Sequence, residues 1–158
     1  PQGFNMPGKH LSRDPERTPM QWNNSRNAGS SAGQPWLRIA KDFSRENVEA
    51  QKEDRYSMLR LYERLIRLRK KEFSLTGGRY TRVHSDQQMI VYLREAEGNS
   101  SFLVALNLTH RPCYYKAEKT ELKGVVEIAA WPELEGTIIH NEINLAGDEG
   151  IIVRLDTL

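Results

Sequence analysis

Cysteine is nearly missing from this sequence: Cys113 is the single one in 158 residues. That excludes an internal disulfide framework and an all-cysteine metal site. No apolar run approaches the roughly 18 residues a helix needs to span a bilayer. No basic-then-apolar segment of the secretory type stands at the start. An excess of one charge is missing too. Lys and Arg together number 23 against 21 for Asp and Glu, a net charge of +2. So near a balance gives no electrostatic basis for nucleic acid or an anionic membrane as the main partner. Apolar residues make up only 38%, yet the near-neutral charge sets the chain apart from disordered sequences. The length suits about one domain. The abrupt start at Pro1, without Met, also fits a piece cut from something larger.

Catalytic motifs are missing as well. His10, His84, His110 and His140 are scattered, without a second His or Cys at metal-ligand spacing. There is no G-x-S-x-G, no phosphate-cradling glycine loop and no H-E-x-x-H. Cys113 sits in a strand-like run and reads as a structural thiol. Glu118, Glu121, Glu133 and Glu135 stand in exposed contexts, and nothing marks an acid–base pair. No catalytic residue, no metal ligand set and no cofactor is expected from the chain itself.

Three regions follow one another. Residues 1–45 carry Pro1, Pro7, Pro15, Pro19 and Pro35 among many Gly, Ser and Asn, a density of breakers that marks a loop. Phe4, Phe43, Met6, Met20, Trp22 and Trp36 make it too apolar for a disordered tail, so it reads as an ordered loop packed on something. Residues 54–72 read as a helix, with Met58, Leu61, Tyr62, Leu65 and Leu68 on one stripe widened by Leu59 and Ile66. Asp54 is its expected N-cap, and Arg69, Lys70 and Lys71 favour the C-terminal dipole. Arg60, Arg64, Arg67 and Lys71 read as a solvated face, and Gly77-Gly78 as its stop. Residues 79–158 read as all β, with strands at 79–83, 89–94, 102–106, 113–116, 125–129, 137–140 and 150–155. Turns at 97–100 and 147–150 complete a small antiparallel sandwich.

The densest chemistry lies at Ser12-Arg13-Asp14-Pro15-Glu16-Arg17-Thr18-Pro19-Met20-Gln21-Trp22. Prolines lower the entropy of ordering such a loop. An arginine oriented there by Asp14 or Glu16 presents a planar fork of donors suited to hydroxyl pairs or carboxylates. Trp22 and Trp36 offer flat apolar faces. The stretch can be read as a sugar site or as a structural loop whose ion pairs and tryptophans pack.

These same residues, followed by Asn27-Ala28-Gly29 and Pro35-Trp36-Leu37, closely resemble glycoside hydrolase family 13 in its maltase and oligo-1,6-glucosidase branch, above all the insect α-glucosidases. Likeness continues through Asn47-Val48 and Gln51 into the helix, and Leu145-Ala146-Gly147 with Gly150-Ile151 resembles that branch's C-terminal domain. The resemblance implies an α+β fold: the last loop and helix of a (β/α)8 TIM barrel followed by an antiparallel β-sandwich domain. Residues 1–76 would end the catalytic barrel, with 1–53 as an active-site loop and 54–72 as the eighth barrel helix. Residues 77–158 would form the all-β domain. The missing N-terminal barrel would be the helix's natural partner.

The resemblance further implies a retaining α-glucosidase acting on maltose- or sucrose-like disaccharides or oligosaccharides. Its nucleophile and acid–base carboxylates would lie on earlier strands, so this chain alone would be inactive. Arg17 would reach the terminal glucose, and Arg13 is a second substrate-binding candidate more suited to bracing the loop. Two positions depart from the family pattern: Asn23 where Asp is common, and Ser30 where Phe is common. The heavy chains of heteromeric amino-acid transporters share the fold and part of the loop, and form the alternative. A bare carbohydrate-binding module is a third reading, but Tyr80, Tyr92, Tyr114, Tyr115 and Trp131 suit strand pairs better than a sugar platform. Asn23, Asn99 and Asn107 each begin an N-x-[ST] sequon, with Asn99 in an expected turn. Together they point to a secreted or cell-surface glycoprotein.

Overall fold

A computed structural model describes residues 17–117 and 121–156. The chain divides into two compact units, 1–60 and 61–158.

In the first unit, irregular backbone leads to a short helix, α1 (Val48–Glu53). Its first-turn amides are all accounted for. Val48 N and Glu49 N donate to Gln21 O and Trp22 O, at 2.9 and 3.0 Å. Asn47 caps the next two, its Oδ1 accepting from Ala50 N and its carbonyl from Gln51 N. Satisfying these otherwise orphaned donors is what lets so short a helix persist. The expected loop over 1–53 therefore contains one helical turn and a half.

The long helix, α2 (Met58–Lys71), begins later than the expected residue 54. Asp54 instead closes an Asx turn, its Oδ1 accepting from Tyr56 N. Ser57 takes the capping role, accepting from Arg60 N at 3.2 Å while donating to Gln51 O. The helix ends at Lys71, and a single turn, α3 (Phe73–Thr76), carries the chain to Gly77.

The second unit is built on a six-stranded antiparallel sheet. Its members are β1 (Arg79–Ser85), β2 (Met89–Glu95), β3 (Phe102–Asn107), β5 (Lys123–Ala129), β6 (Ile138–His140) and β8 (Gly150–Leu155), in the order β1-β2-β3-β8-β5-β6. A two-stranded sheet of β4 (Cys113–Lys116) and β7 (Glu142–Leu145) covers one face. Met89, Val91, Leu103, Ala105, Val126 and Val153 from the large sheet meet Ile143 and Leu145 from the small one. That is a β-sandwich core, each fully buried aliphatic side chain contributing about 1.5–3 kcal/mol. Helix α2 covers the opposite face, where Leu68, Phe102 and Ile128 pack with Leu61, Leu65 and Ile152.

Strand β3 explains the three layers. Phe102, Leu103, Val104 and Ala105 form an unbroken apolar run, and all four are buried. Continuous rather than alternating apolarity belongs to a strand covered on both faces. On β5 a register shift between Val126 and Ile128 turns Val126 to the sandwich core and Ile128 to the helix. Glu127, at the bulge, meets Arg154 of β8 with two hydrogen bonds. Arg154 also donates to Glu72 at 2.9 Å and lies over the Phe102 ring, 4.7 Å from its centroid. This network ties the end of the helix to the sheet.

Two expectations about charge need correction. Arg64 is not part of a solvated face: it is half-buried and pairs with Glu135. Glu135 is correspondingly not exposed, and it also accepts from Ala129 N at 3.2 Å. Glu118 lies outside the described residues.

Candidate functional site

Arg17 opens the described part of the unusual loop and is exposed, while Arg13 lies outside the described residues. The Arg17 guanidinium sits over the Trp36 ring, 5.7 Å from the centroid. Trp36 is 69% exposed, and Met20 and Trp22 are also more than half exposed. Three large apolar groups and a cation therefore share one open stretch of chain.

Polar side chains, rather than a core, shape this loop. Gln21 Nε2 donates to Asp42 Oδ1 and to Glu46 O, at 3.2 and 2.7 Å. Trp22 N and Asn23 N both donate to Ala28 O. That carbonyl is aimed by a turn of unusual hand. Asn27 (φ 57°, ψ 29°), Ala28 (φ 55°, ψ 28°) and Gly29 (φ 67°) are all left-handed. Ala28 is completely buried. Such a conformation costs a non-glycine residue about 1–2 kcal/mol, so the surroundings must hold it in place. They include Ser30, whose N and Oγ both donate to Asn27 O, and Asn27 Nδ2, which donates to Ser31 O and Gly33 O.

The two departures from the family pattern have local uses. Asn23 Oδ1 accepts from Ser25 N and Ser25 Oγ, at 3.0 and 2.6 Å. An Asp would accept the same bonds, so Asn keeps the turn. Ser30 closes the left-handed turn from its far side.

The three sequons sit in different settings. Asn99 is exposed in the β2–β3 turn, where its Nδ2 donates to Glu97 O. Asn107 is 4% exposed. Its Nδ2 donates to Arg111 O and Ala146 O, and its Oδ1 accepts from both Thr109 N and Thr109 Oγ1. The motif there is a loop brace. Asn23 is packed so closely under Gly29 that a Cβ at residue 29 would fall 2.7 Å from its Oδ1.

Shifted ionisations lie in the β unit and belong to its framework. The Arg154 hydrogen bond holds Glu72 below the usual carboxylate range, against a smaller opposing effect of burial. Burial pushes the half-buried Cys113 thiol up, helped by Asp86 and Glu149, which suits an inert thiol. Hydrogen bonding to Asp148 raises His110. Among the described residues no cluster of His, Cys, Asp or Glu could hold a metal ion, and no helix is long and apolar enough to cross a membrane. Among the tail aromatics, Tyr80 and Tyr92 contact each other across β1 and β2 at 4.9 Å, and Tyr115 meets His84 at 5.5 Å. Sequence reasoning passed over the Arg17–Trp36 contact, because eighteen residues of loop separate the two; the glycine in Asn27-Ala28-Gly29 was its one local signal.

Comparison with known proteins gives this arrangement its context. Residues 2–78 match the family described as alpha amylase, catalytic domain. The chain is 30% identical to maltase 1 of Drosophila virilis over 154 residues, covering 93% of this chain and 24% of that protein. It is 40% identical over 105 residues to a probable oligo-1,6-glucosidase of Bacillus subtilis, covering 66% and 19%. An amino acid transporter heavy chain of Rattus norvegicus is 32% identical over 145 residues, covering 87% and 21%. Among solved structures, isomaltulose synthase of Klebsiella sp. LX3 superposes with a TM-score of 0.83 at 28% identity, over 92% of this chain and 26% of that one. The chain thus spans 19% to 26% of the length of these relatives. Its fold is that of the barrel end and C-terminal β domain of such (β/α)8 enzymes.

Proposed function

With residues 2–78 belonging to the alpha amylase catalytic-domain family, we propose that this chain is the C-terminal part of a retaining α-glucosidase that releases terminal α-linked glucose from maltose- or sucrose-like sugars. In this reading residues 1–76 end the catalytic barrel and 77–158 form its accessory β domain. The family match ends at residue 78, in keeping with that division. Nucleophile and acid–base carboxylates come from upstream barrel strands. The β domain's role is to hold the last barrel helix. The exposed side chains Met58, Tyr62 and Ile66 of that helix are the surface the upstream barrel covers.

One observation carries the reading: Arg17, inside the R-T-P-M-Q-W run, stands exposed beside an open indole. A guanidinium there can donate to two sugar hydroxyls at once, and the indole supplies a flat apolar face. Arg13, four residues before that run, is the second substrate-binding candidate of this proposal. In the full-length protein Arg17→Ala should lower kcat/KM toward maltose by about 2–4 kcal/mol, the scale of a charged hydrogen bond lost in a dry site. The isolated 158-residue chain serves as the blank and should release no glucose. An unchanged kcat/KM for the variant, or glucose from the isolated chain, would sink the assignment.

The transporter heavy chain among the relatives supplies the competing reading, a subunit without hydrolase activity. The complete Arg-Thr-Pro-Met-Gln-Trp run favours the enzyme. Glucose release by the full-length protein separates the two.

A secreted or cell-surface location and N-glycosylation are part of the same proposal, with Asn99 as the acceptor. Glycan acceptors need an accessible amide. Asn99 is exposed in a turn, whereas the Asn107 amide is buried and committed to two carbonyls. Expressed through a eukaryotic secretory pathway, the chain should lose a glycan-sized mass on amidase treatment. Asn99→Gln should abolish that loss and Asn107→Gln should not.

A further inference from the structure

Helix α2 has two flanks in different states. Leu61, Leu65 and Leu68 turn to the six-stranded sheet, against Phe102 and Ile128. At 3.6 residues per turn, the residue before each leucine stands about 100° round on one side, and the residue after it about 100° round on the other. Arg64, on the first side, pairs with Glu135 in the β5–β6 connection. That flank is closed by an ion pair. Tyr62, Ile66 and Arg69 lie on the second side, where Tyr62 is 58% and Ile66 50% exposed.

The second flank overlooks β2 and β1. Tyr80 stands opposite Arg94, and Arg94 opposite Phe102. Residues directly opposite share a face, so Tyr80 is on the face that carries α2. Arg82 and Tyr92, opposite each other, lie two residues along the same strands and so share that face. The Tyr80 and Tyr92 rings meet at 4.9 Å. Tyr92 is half-buried, whereas Tyr80 is 52% exposed. Burial pushes the Tyr92 hydroxyl up, and Arg69 is among the cations that oppose the shift, which puts the open flank of α2 beside this pair.

Helix flank and tyrosine pair thus form one open surface, edged by Arg69 and Arg82. Neither arginine is ion-paired among the described residues. Single exposed aromatics are ordinary, but a contiguous apolar face marks an interaction surface. Whatever covers Tyr62 and Ile66 comes within a side chain's reach of Tyr92 and Tyr80.

We infer that this flank of the β unit is a seat for the upstream barrel, filled by a barrel segment that turns apolar side chains to Tyr80 and Tyr92 and carboxylates to Arg69 and Arg82. The β unit then grips the barrel directly as well as through α2. This rests on the reading of the chain as the end of a longer barrel enzyme. The chain covers 24% of the maltase relative, so most of such a protein is available to fill the seat. Helix α2 lies inside the family match and both tyrosines beyond it, so the seat crosses that boundary. A second copy of the chain would have to compete with the barrel for the same stripe of α2.

Hydroxyl-radical footprinting tests this without substitutions, comparing the isolated 158-residue chain with the full-length protein. Tyr62 and Tyr80 should be oxidised at least about tenfold more slowly in the full-length protein, as residues in the dry centre of an interface are. Tyr114, on the layer that covers the opposite face of the sheet, is the control and should change by less than about twofold. Arg82→Glu should raise Tyr80 oxidation in the full-length protein by about threefold or more, through like-charge repulsion, and leave the isolated chain unchanged. Equal Tyr80 rates in both proteins with Tyr62 still protected overturn the seat and leave the barrel reading intact. Slow Tyr80 oxidation in the isolated chain, protection lost on dilution (a second copy as occupant), or no effect of Arg82→Glu also overturns it. Equal Tyr62 rates overturn the barrel reading and this inference with it.

Discussion

The two units of this chain keep their shapes by opposite means. Of the described buried apolar residues, Ala28 and Leu37 lie before residue 61 and fifteen lie after it. The β unit is organised by apolar side chains meeting between layers. The loop unit is organised by amides, with Gln21, Asn23, Asn27 and Asn47 each bonded to backbone or to another side chain. Its large apolar groups, Met20, Trp22 and Trp36, face outward. A core resists deformation because it is close-packed. A hydrogen-bonded loop holds a few groups in defined places while leaving their faces free for a partner or ligand. Binding residues gather in such loops because a rigid scaffold stands behind them.

The sharpest way to break that contrast is to remove one side chain from each unit. Phe102 is fully buried under helix α2. Phe102→Ala should cost the β unit about 3–5 kcal/mol, as large-to-small changes in cores do, read from its urea unfolding. Leu37→Ala should move the same transition by no more than about 0.5 kcal/mol. Equal shifts would mean that one core serves both units.

A smaller effect comes from the ion network behind Phe102. Glu72 has a folded pKa held below its ordinary 4.5 by Arg154. A lowered carboxylate stabilises the fold above the unfolded pKa, and that stabilisation is lost as pH falls through the folded one. The β unit should therefore melt at a nearly constant temperature from neutral pH to about 5 as far as Glu72 is concerned, then decline on further acidification. Glu72→Gln should lower the neutral-pH value and weaken the decline. A variant whose melting curve against pH parallels the parent's would show that Glu72 does not carry this dependence.

The units also differ in how far the sequence discloses them. Strands β2, β3 and β8 are plain from apolar runs, because burial on one or both faces writes itself into residue type. Strand β7 is hidden. Only Ile143 and Leu145 face the core in its four residues, and it starts from Asn141, whose φ is 59°. The start of α2 goes astray for a physical reason: Asp54 and Ser57 are both good caps, and the choice falls to Ser57, which also bonds Gln51 O. In the loop, periodicity has nothing to report. The R-T-P-M-Q-W run marks the site, but the contact of Arg17 with Trp36 joins residues far apart in the loop, and a left-handed Ala28 has no signature in composition.

The smallest and most local test concerns Gly29. At φ +67° an alanine is strained, and its Cβ would also fall 2.7 Å from Asn23 Oδ1 and 2.9 Å from Nδ2. Gly98 is the control: it has nearly the same φ, +70°, but nothing lies within 4 Å of a Cβ there. Gly98→Ala therefore isolates the backbone cost, about 1 kcal/mol, and acts on the β unit that contains it. Gly29→Ala adds displacement of Asn23, the residue whose Oδ1 holds Ser25 and whose amide meets Ala28 O. Its cost, about 1–2 kcal/mol, should appear as faster proteolytic nicking within residues 17–47, with the melting temperature of the β unit unmoved. The hydrogen bonds of the turn are cooperative, so loss of one contact should loosen the chain on both sides of it together. If Gly29→Ala instead lowered the β unit's melting temperature as Gly98→Ala does, the loop would share its stability with the core, and the opposition between a packed unit and a hydrogen-bonded one would fail.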